Sequence, residues 1–452
     1  MRLPAVLSVA LVAVASLRAE APSLQGTMPE DLLPGLKPLL QAAVERSPNT
    51  ISQAINVEQQ EASKLADFSG LYPQANLSAN YEVNTESVSH SQPNTSSGLF
   101  YGAGVSQAVF QWGAVKNSAL IGSLGLKIAE RQYAEAYRQL AIIIREQYIA
   151  LIEKKISLRN NDFKVKIAEE NLEAQQARLK SGSSSEAEVQ SFQLNLEDAE
   201  LTRDRSKEDF EYSLRQFMRL VGVEGLDDAS IPMKLPHPEY SASLADTVFA
   251  GFVGDGIEST FQSQVYELTV KQQDLSYSIA KVRMLPKISA SASFGYQNNT
   301  APSANGVTQY KTQSESYGLS AGWDIFDGFA TRSAKMSALA SKRSAERTLK
   351  SYVDATVDSI DDMRHQLGFS ARALALSEIH LALIDSQVKR LSDDKALGYA
   401  SQATIDTGVL DLDASEFDAT FARGDYLGRW TEYISLAGLD PAIDNISPRY
   451  VR

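Results

Sequence analysis

The chain has 452 residues, of which 43% are hydrophobic and 22% are charged, so it can bury a sizeable core and is not expected to be disordered. Its 43 basic and 56 acidic residues give a formal net charge of -13. Because proteins that bind nucleic acids need clustered positive charge, this balance argues against a nucleic-acid partner.

The first 21 residues have the three zones of a secretory signal peptide. Arg2 precedes the apolar run Leu3–Leu17, and a small-residue cleavage pattern, Ala19-Glu20-Ala21, follows it. A membrane anchor is the alternative, but the run is shorter than the roughly 20 apolar residues that a spanning helix needs. We therefore expect residues 1–21 to be removed on export.

The rest of the chain contains no second long apolar run. The best candidate is Leu140–Ile144, so we expect that no helix of the mature chain crosses a bilayer. Cysteine is absent from the sequence, which excludes disulfides, thiolate metal ligands, thiol nucleophiles and an acylated N-terminal cysteine. If the mature chain spans a membrane, it must do so with strands.

The first predicted strand, at 74–84, alternates strictly between apolar and polar residues, which is typical of a strand with one face exposed to water. Its apolar face consists of Ala75, Leu77, Ala79, Tyr81 and Val83. The partner strand is predicted at 98–110, and a loop with Asn94, Ser96 and Ser97 joins the two as a hairpin. Each strand is near the roughly 9 to 11 residues that a tilted strand needs to cross a bilayer.

A helical hairpin is predicted at about 114–221. Its first helix, from about Ala114 to Lys180, lacks proline and would be on the order of 100 Å long. Gly182 is placed where the chain reverses, because glycine caps a helix without steric cost. The apolar stripe of the first helix is Tyr133, Tyr137, Leu140, Ile144 and Leu151. The return helix has a coiled-coil seam at Val189, Phe192, Leu196, Ala199, Arg203, Ser206, Phe210, Ser213 and Phe217.

The second half of the chain repeats the first. Gly182 follows Phe110 by 72 residues, and Gly398 follows Phe326 by 72 residues, so the intervening element tolerates no net insertion, as expected of a rigid rod. The first repeat is assigned to 22–221 and the second to 259–440. Between them, 222–258 contain three prolines and are predicted to form a connector outside the helical barrel; 441–452 form a C-terminal tail.

The second repeat is predicted to have the same elements as the first. Its strands are placed at 287–297 and 314–326, joined by a loop with Pro302, Asn305 and Gly306. Its helical hairpin is placed at about 328–438. The apolar face of the last strand is Tyr317, Leu319, Ala321, Trp323 and Ile325.

Four strands per chain are too few to close a membrane barrel. Alternation alone would favour an ordinary soluble sheet packed on a helix. In a membrane, however, a lipid-facing strand cannot leave its edge unpaired, and barrels need at least about eight strands. The chain must therefore oligomerise, and three chains would supply twelve strands. The fold class predicted is an α+β membrane protein with long antiparallel helical hairpins and four strands per chain that contribute to a shared transmembrane β-barrel.

The ordered, duplicated set of motifs resembles the TolC family of outer-membrane efflux and secretion channels. The resemblance covers roughly Leu40 to Leu436. It rests on three pairs of motifs: the prolines that precede the first strand of each repeat, the residues that end the second strand, and the glycines that begin the helical turns. These are Pro73 and Pro286, Phe110 and Phe326, and Gly182 and Gly398. It implies a homotrimer with a 12-stranded β-barrel in the outer membrane and a periplasmic helical tunnel. The tunnel would receive substrates from a periplasmic adaptor protein and an inner-membrane transporter.

The same resemblance implies roles for the hairpin tips. Gly182, Ser185, Gly398 and Ser401 would face the adaptor, although glycine and serine also favour simple helix reversal. Family members often have an acid six residues after the tip glycine, which Glu188 matches and Thr404 does not. Asp406, Thr404 and Glu188 are therefore the candidates for a tunnel constriction. The acids Asp406, Asp411, Asp413, Glu416 and Asp418 form either a solvated face or a cation-favouring throat.

No enzyme is predicted, and neither a metal nor a cofactor is expected. His365 and His380 share a predicted helix but lie roughly 22 Å apart along it, too far for one metal ion. The segment 102–107 resembles a dinucleotide loop only superficially, because Gln107 replaces the third glycine. The alternative function is a structural or adhesive coiled-coil protein of the envelope, against which the four alternating strands count; a stand-alone porin would need more strands.

Overall fold

The computed structural model describes residues 27–87, 89, 93–303 and 306–451. The predicted signal peptide at 1–21 and the loop residue Asn305 lie outside these residues. The described chain begins with α1 (Pro29–Leu32), α2 (Leu36–Arg46) and α3 (Pro48–Phe68). Ser47 caps α3, since its hydroxyl accepts a hydrogen bond from the backbone N–H of Asn49.

The first repeat continues with β1 (Gln74–Glu86), β2 (Asn94–Phe110), α4 (Ala114–Lys180) and α5 (Glu186–Val221). The connector contains α6 (Ala242–Gly251) and α7 (Ile257–Ser259), and α8 (Phe261–Val282) opens the second repeat. That repeat continues with β3 (Lys287–Ser303), β4 (Gly306–Gly322), α9 (Ala330–Ala396) and α10 (Gln402–Leu436). The short helix α11 (Pro448–Val451) lies in the tail.

The four strands form one antiparallel sheet in the order β1-β2-β3-β4. Its strands differ in length from the prediction. Asn94, Ser96 and Ser97, predicted as loop, belong to β2, and Pro302 and Gly306 belong to β3 and β4. The hairpins extend because strand pairing continues to the turn, as in the pairs Glu86↔Asn94 and Ser303↔Gly306.

The end of β4 corrects the predicted span 314–326. The strand starts at Gly306 and stops at Gly322, so Trp323, Ile325 and Phe326 lie beyond it. Gly322 pairs with Lys287, the first residue of β3. Pro286 precedes Lys287 and has no N–H to continue the ladder, so the residues after Gly322 have no partner strand.

One face of the sheet is apolar across all four strands. The register places Leu77 opposite Ala103, Ala103 opposite Phe294, and Ala292 opposite Tyr317. Leu77 is 87% exposed and Tyr317 is 86% exposed, so nothing in the described chain covers this face. The other face carries small polar residues and glycine at the same levels, including Ser78, Gly102, Gly295 and Ser314.

The two long helices, α4 and α9, have 67 residues each, which corresponds to about 100 Å. Helix α4 packs against α5 and α10, and α9 packs against α10. Nearer the sheet, α8 lies between α4 and α9, and α3 packs on α4. The protomer is therefore a layer of helices whose free edges are α3 and α5 on one side and α9 on the other.

The predicted helical patterns are buried as expected. The stripe of α4 is at most 4% exposed at each of its five positions, and the nine seam residues of α5 are all buried or half-buried. Two serines of the seam bind α4 directly. Asn161 Nδ2 donates to Ser206 Oγ over 2.7 Å, and Lys154 Nζ donates to Ser213 Oγ over 2.7 Å.

In the part of the chain that the structure describes, one helix is long and apolar enough to cross a membrane by length and composition, a feature that the search for continuous apolar runs did not find. Helix α9 contains an 18-residue window of mean hydropathy 1.4, of which 17% is buried within the chain. Its apolar residues are interrupted by charged ones such as Arg372 and Glu378, so no uninterrupted apolar run marks it in the sequence. The exposed apolar residues of α9 lie along a free edge of the helical layer.

The segments before α3, between the repeats and after α10 pack together around the middle of the long helices. We call them the collar: residues 27–46, 222–259 and 437–451. Tyr137 Oη of α4 donates to the Leu40 carbonyl over 2.9 Å, and Tyr433 Oη of α10 donates to the Ala245 carbonyl over 2.7 Å. The ring of Tyr450 stacks on Tyr133 with centroids 4.1 Å apart. The collar thus covers one face of α4 and α10.

Candidate functional site: the hairpin tips and the long helices

The tip of the first hairpin is a glycine-capped reversal. Gly182 has φ +75°, a left-handed conformation that glycine adopts without strain. Its N–H donates to the Leu179 carbonyl over 3.0 Å, and Ser183 N–H donates to the Arg178 carbonyl over 2.8 Å. These bonds satisfy the last carbonyls of α4 and explain why the chain reverses here.

Ser185 and Glu188 cap α5 reciprocally. Ser185 Oγ accepts from Glu188 N–H over 3.3 Å, and Glu188 Oε2 accepts from Ser185 N–H over 3.0 Å. The Ser184 hydroxyl also donates to Glu188 Oε2 over 2.6 Å. This hydroxyl and the Ser185 N–H lower the pKa of Glu188. The carboxylate proposed for a constriction therefore has a local structural task at this tip.

The tip of the second hairpin has the same backbone and a different cap. Gly398 has φ +80°, and Tyr399 N–H donates to the Asp394 carbonyl over 2.8 Å. Ser401 Oγ accepts from Thr404 N–H over 3.2 Å and lies 2.8 Å from Thr404 Oγ1. Thr404 thus contributes to the cap with a hydroxyl where the first repeat uses a carboxylate.

Asp406 lies one turn further into α10 and is half-buried. Its Oδ1 accepts from Gln402 Nε2 over 2.6 Å. Among the described residues, no base lies within salt-bridge distance of this carboxylate. Asp406 therefore has a hydrogen-bonded, uncompensated negative charge close to the tip.

Two of the five acids in the acidic run have a basic partner that the sequence pattern missed. Arg159 Nη2 of α4 lies 3.1 Å from Glu416 Oε2 and 3.7 Å from Asp413 Oδ1. The run itself contains no base, and Arg159 precedes it by about 250 residues, so only the packing of α4 against α10 reveals the pair. Asp413 and Glu416 are therefore parts of a helix–helix contact.

A second group of acids, also missed, lines a groove between α4 and α10. Glu146 and Glu153 of α4 face Asp425 and Glu432 of α10 across it. The groove lies on the face opposite the collar. The available signal was the pair of glycines, Gly424 and Gly428, spaced one turn apart on α10.

Histidines in the described chain have structural partners. His237 Nδ1 lies 3.1 Å from Glu378 Oε1, and Arg423 donates to the same carboxylate at 2.6 and 3.0 Å. His380 Nδ1 lies 3.3 Å from Ser415 Oγ. Within residues 27–451 as described, no group of three or more His, Asp or Glu side chains is arranged to hold a metal ion.

Solved structures of outer-membrane channels share this fold. The Campylobacter jejuni CmeC outer membrane channel has a TM-score of 0.73 at 14% identity and covers 100% of this chain and 97% of its own. The outer-membrane channel OprN gives 0.70 at 13% identity, covering 97% and 98%. The open state of the Neisseria gonorrhoeae MtrE outer membrane channel gives 0.63 at 16% identity, covering 97% of each chain.

Comparison of the sequence with family models identifies the family of the chain. No curated protein matches the chain. The family model described as outer membrane efflux protein matches residues 39–223 and 260–404, one segment in each structural repeat. Because these segments make up well over half of the chain and follow its internal repeat, the chain belongs to the outer membrane efflux protein family.

Proposed function

We propose that three copies of this outer-membrane efflux channel assemble into one continuous duct, which carries substrates passively from a periplasmic adaptor and an inner-membrane transporter to the exterior. The observation that carries the proposal is the four-stranded sheet with one apolar face and two open edges, β1 and β4. Open edges are not tolerated in lipid, so identical sheets must join edge to edge. Three sheets supply twelve strands.

The helical layer supports the same assembly. Along the free edge of α9, Leu376 is 68% exposed and Ile379 is 67% exposed, and Leu194 is exposed on α5 at the opposite edge. Apolar side chains that are free at both edges of one protomer fit a cyclic arrangement in which α9 of each chain meets α5 of the next. The periplasmic part of the duct would then be a ring of helices continuous with the barrel.

The tips are the part of the chain most distant from the sheet, and they are the proposed contact with the adaptor. Gly182, Ser185, Gly398 and Ser401 shape the two reversals, and both serines are exposed. A cysteine-free chain allows this contact to be tested with single cysteines.

We expect cysteines at Ser185 and Ser401, carrying a short photo-crosslinker in intact cells, to capture one periplasmic protein in each case. A cysteine at Ser344, exposed on α9 far from the tip, is the matched control and should capture none. Mass spectrometry identifies the captured protein, and co-purification of an inner-membrane transporter with it separates efflux from type I secretion. Equal capture at Ser344, or none at the tips, contradicts the proposal.

Asp406 is proposed to favour cations at the periplasmic entrance, because threefold symmetry would place three uncompensated carboxylates there. Replacing it with alanine should lower the cation-to-anion permeability ratio roughly twofold, since a ring of charge near a constriction controls local ion concentration. The measurement is the reversal potential in planar bilayers under a salt gradient. Asp411→Ala, an exposed acid of the same run, is the control. An unchanged ratio and conductance in the Asp406 variant removes it from this role.

A further inference from the structure

Helices α4 and α10 pack closely at Gly424. A Cβ at this position would lie 2.5 Å from Glu153 Oε1 and 2.8 Å from Ile149 Cγ2, closer than non-bonded atoms allow. Any other residue at position 424 would displace these two α4 side chains. Glycine therefore permits the Glu153 carboxylate to lie in the seam between the helices, against the backbone of α10.

The Glu153 carboxylate has no hydrogen-bond or ion-pair partner among the described residues. It is half-buried and lines a groove of about 350 Å³. The charged groups that face it are Glu146 from its own helix and Asp425, Arg429 and Glu432 from α10. The only base among them, Arg429, is bound to Asp425, with 3.0 Å between Nε and Oδ2. The groove thus has four carboxylates and one guanidinium that is already paired.

This arrangement disfavours the ionised form of Glu153. Burial, and to a lesser extent the charge of Asp425, raise the pKa of Glu153 to about 7. The pKa of Glu146 is raised in the same direction by burial and by Glu432. When α4 and α10 separate, Glu153 is hydrated and its pKa returns toward the ordinary 4.5.

The sign of the pH dependence follows from this difference. The closed seam binds the Glu153 proton more tightly than the open seam does. Its stability is therefore fully present below the ordinary pKa of about 4.5, decreases as the pH rises through the interval up to about 7, and is constant above it. Protonation closes the seam, and ionisation loosens it.

We propose that Glu153 and Gly424 form a proton-sensitive contact that holds the second helical hairpin against the first. The contact lies on the face of the helical layer opposite the collar, about halfway along α4. It stands between two other contacts of α4 with α10, that of Arg159 with Glu416 and that of Arg138 with Ser435. Loosening it lets the second hairpin shift relative to the first and widens the groove between them. The inference concerns a single chain and holds whichever partner engages the tips.

The experiment uses the purified full-length channel in lipid nanodiscs. Nitroxide labels on cysteines at Gln147 of α4 and Asp418 of α10, both exposed, report the separation of the two helices. Between pH 5 and pH 8, the population with the longer label-to-label distance should rise roughly tenfold. The difference between the pKa values of Glu153 in the closed and open seam would allow a larger change, but the carboxylate is partly hydrated even in the closed seam. Glu153→Gln should remain closed and change less than twofold, and Glu169→Gln, an exposed acid of α4, should behave as the wild type.

Gly424→Ala gives an independent measurement that retains the carboxylate. The added Cβ displaces Glu153 toward water, so the midpoint of the transition should move to lower pH. The proposal is overturned if the wild-type distance is constant between pH 5 and pH 8, if Glu153→Gln keeps the wild-type transition, or if Gly424→Ala leaves the midpoint unchanged.

Discussion

Replacing Arg145 with methionine is expected to release the collar from α4. The guanidinium is fully buried and binds two carboxylates, Glu30 of α1 at 2.6 and 2.8 Å and Asp440 of the tail at 2.7 and 2.8 Å. Burial lowers the pKa of Arg145, but the hydrogen bonds and charges of Asp440 and Glu30 together raise it above its ordinary value, so the guanidinium is always charged. Removing it leaves the buried Asp440 and the largely buried Glu30 without a counter-ion, which costs about 3–5 kcal/mol.

Native-state hydrogen exchange of the collar measures this loss. Exchange of residues 27–46 and 437–451 should accelerate more than a hundredfold, because each 1.4 kcal/mol corresponds to about a factor of ten. Arg215→Met is the matched control. It removes an exposed pair with Glu208, 3.0 Å apart, and should cost less than about 1 kcal/mol.

The origin of the effect can be separated from the loss of packing. Combining Arg145→Met with Glu30→Gln and Asp440→Asn removes the unpaired charges while keeping similar volumes. Most of the protection should then return, since neutral amides need no counter-ion. If the single substitution exchanges like the wild type, Arg145 does not hold the collar.

The second large effect is expected at the free edge of α9. Lysine at both Leu376 and Ile379 should abolish the trimer, because each copy would have to bury two unpaired ammonium groups against its neighbour. A closed ring of three copies contains three such interfaces, so the cost arises three times. Transport should be lost together with assembly, since an incomplete ring leaves the edges of the sheet unpaired.

Assembly is measured by light scattering in detergent and by heat-modifiable migration on gels. The matched control is Leu376→Met with Ile379→Leu, which keeps the volume and apolar character and should form trimers normally. Folding of the lysine variant is checked by its helical circular dichroism, since the substituted side chains are exposed in the isolated chain. A trimer that persists with both lysines would show that α9 does not form the interface.

The long helices and the alternating strands could be predicted from the sequence because their signals are local. A buried stripe at helical spacing identified α4. The distance of 72 residues from a phenylalanine at the end of a strand to a turn glycine is the same in both repeats, and it identified α9. Period two in the residues after Pro73 and Pro286 identified β1 and β3. These patterns follow from the geometry of single elements and need no knowledge of their neighbours.

The hairpin tips could also be predicted from the sequence, with one exception. Positive φ at Gly182 and Gly398 follows from the residue type that a helix reversal requires. The substitution of Thr404 for an acid raised doubt about the second tip, and the structure shows a hydroxyl completing the cap there. The roles proposed for the tip residues and Asp406 remain predictions, because they concern partners and ions outside the chain.

Contacts between distant segments could be decided only by the tertiary structure. Arg145 meets residues 115 and 295 positions away, and Glu153 meets Gly424 across two helices. The strength of such contacts depends on distances of a few tenths of an ångström between packed elements, and no sequence period encodes these distances. The sequence by itself determined the repeated helices, the alternating strands and the reversals; the folded chain decided which charges are paired, which are buried alone, and where β4 ends.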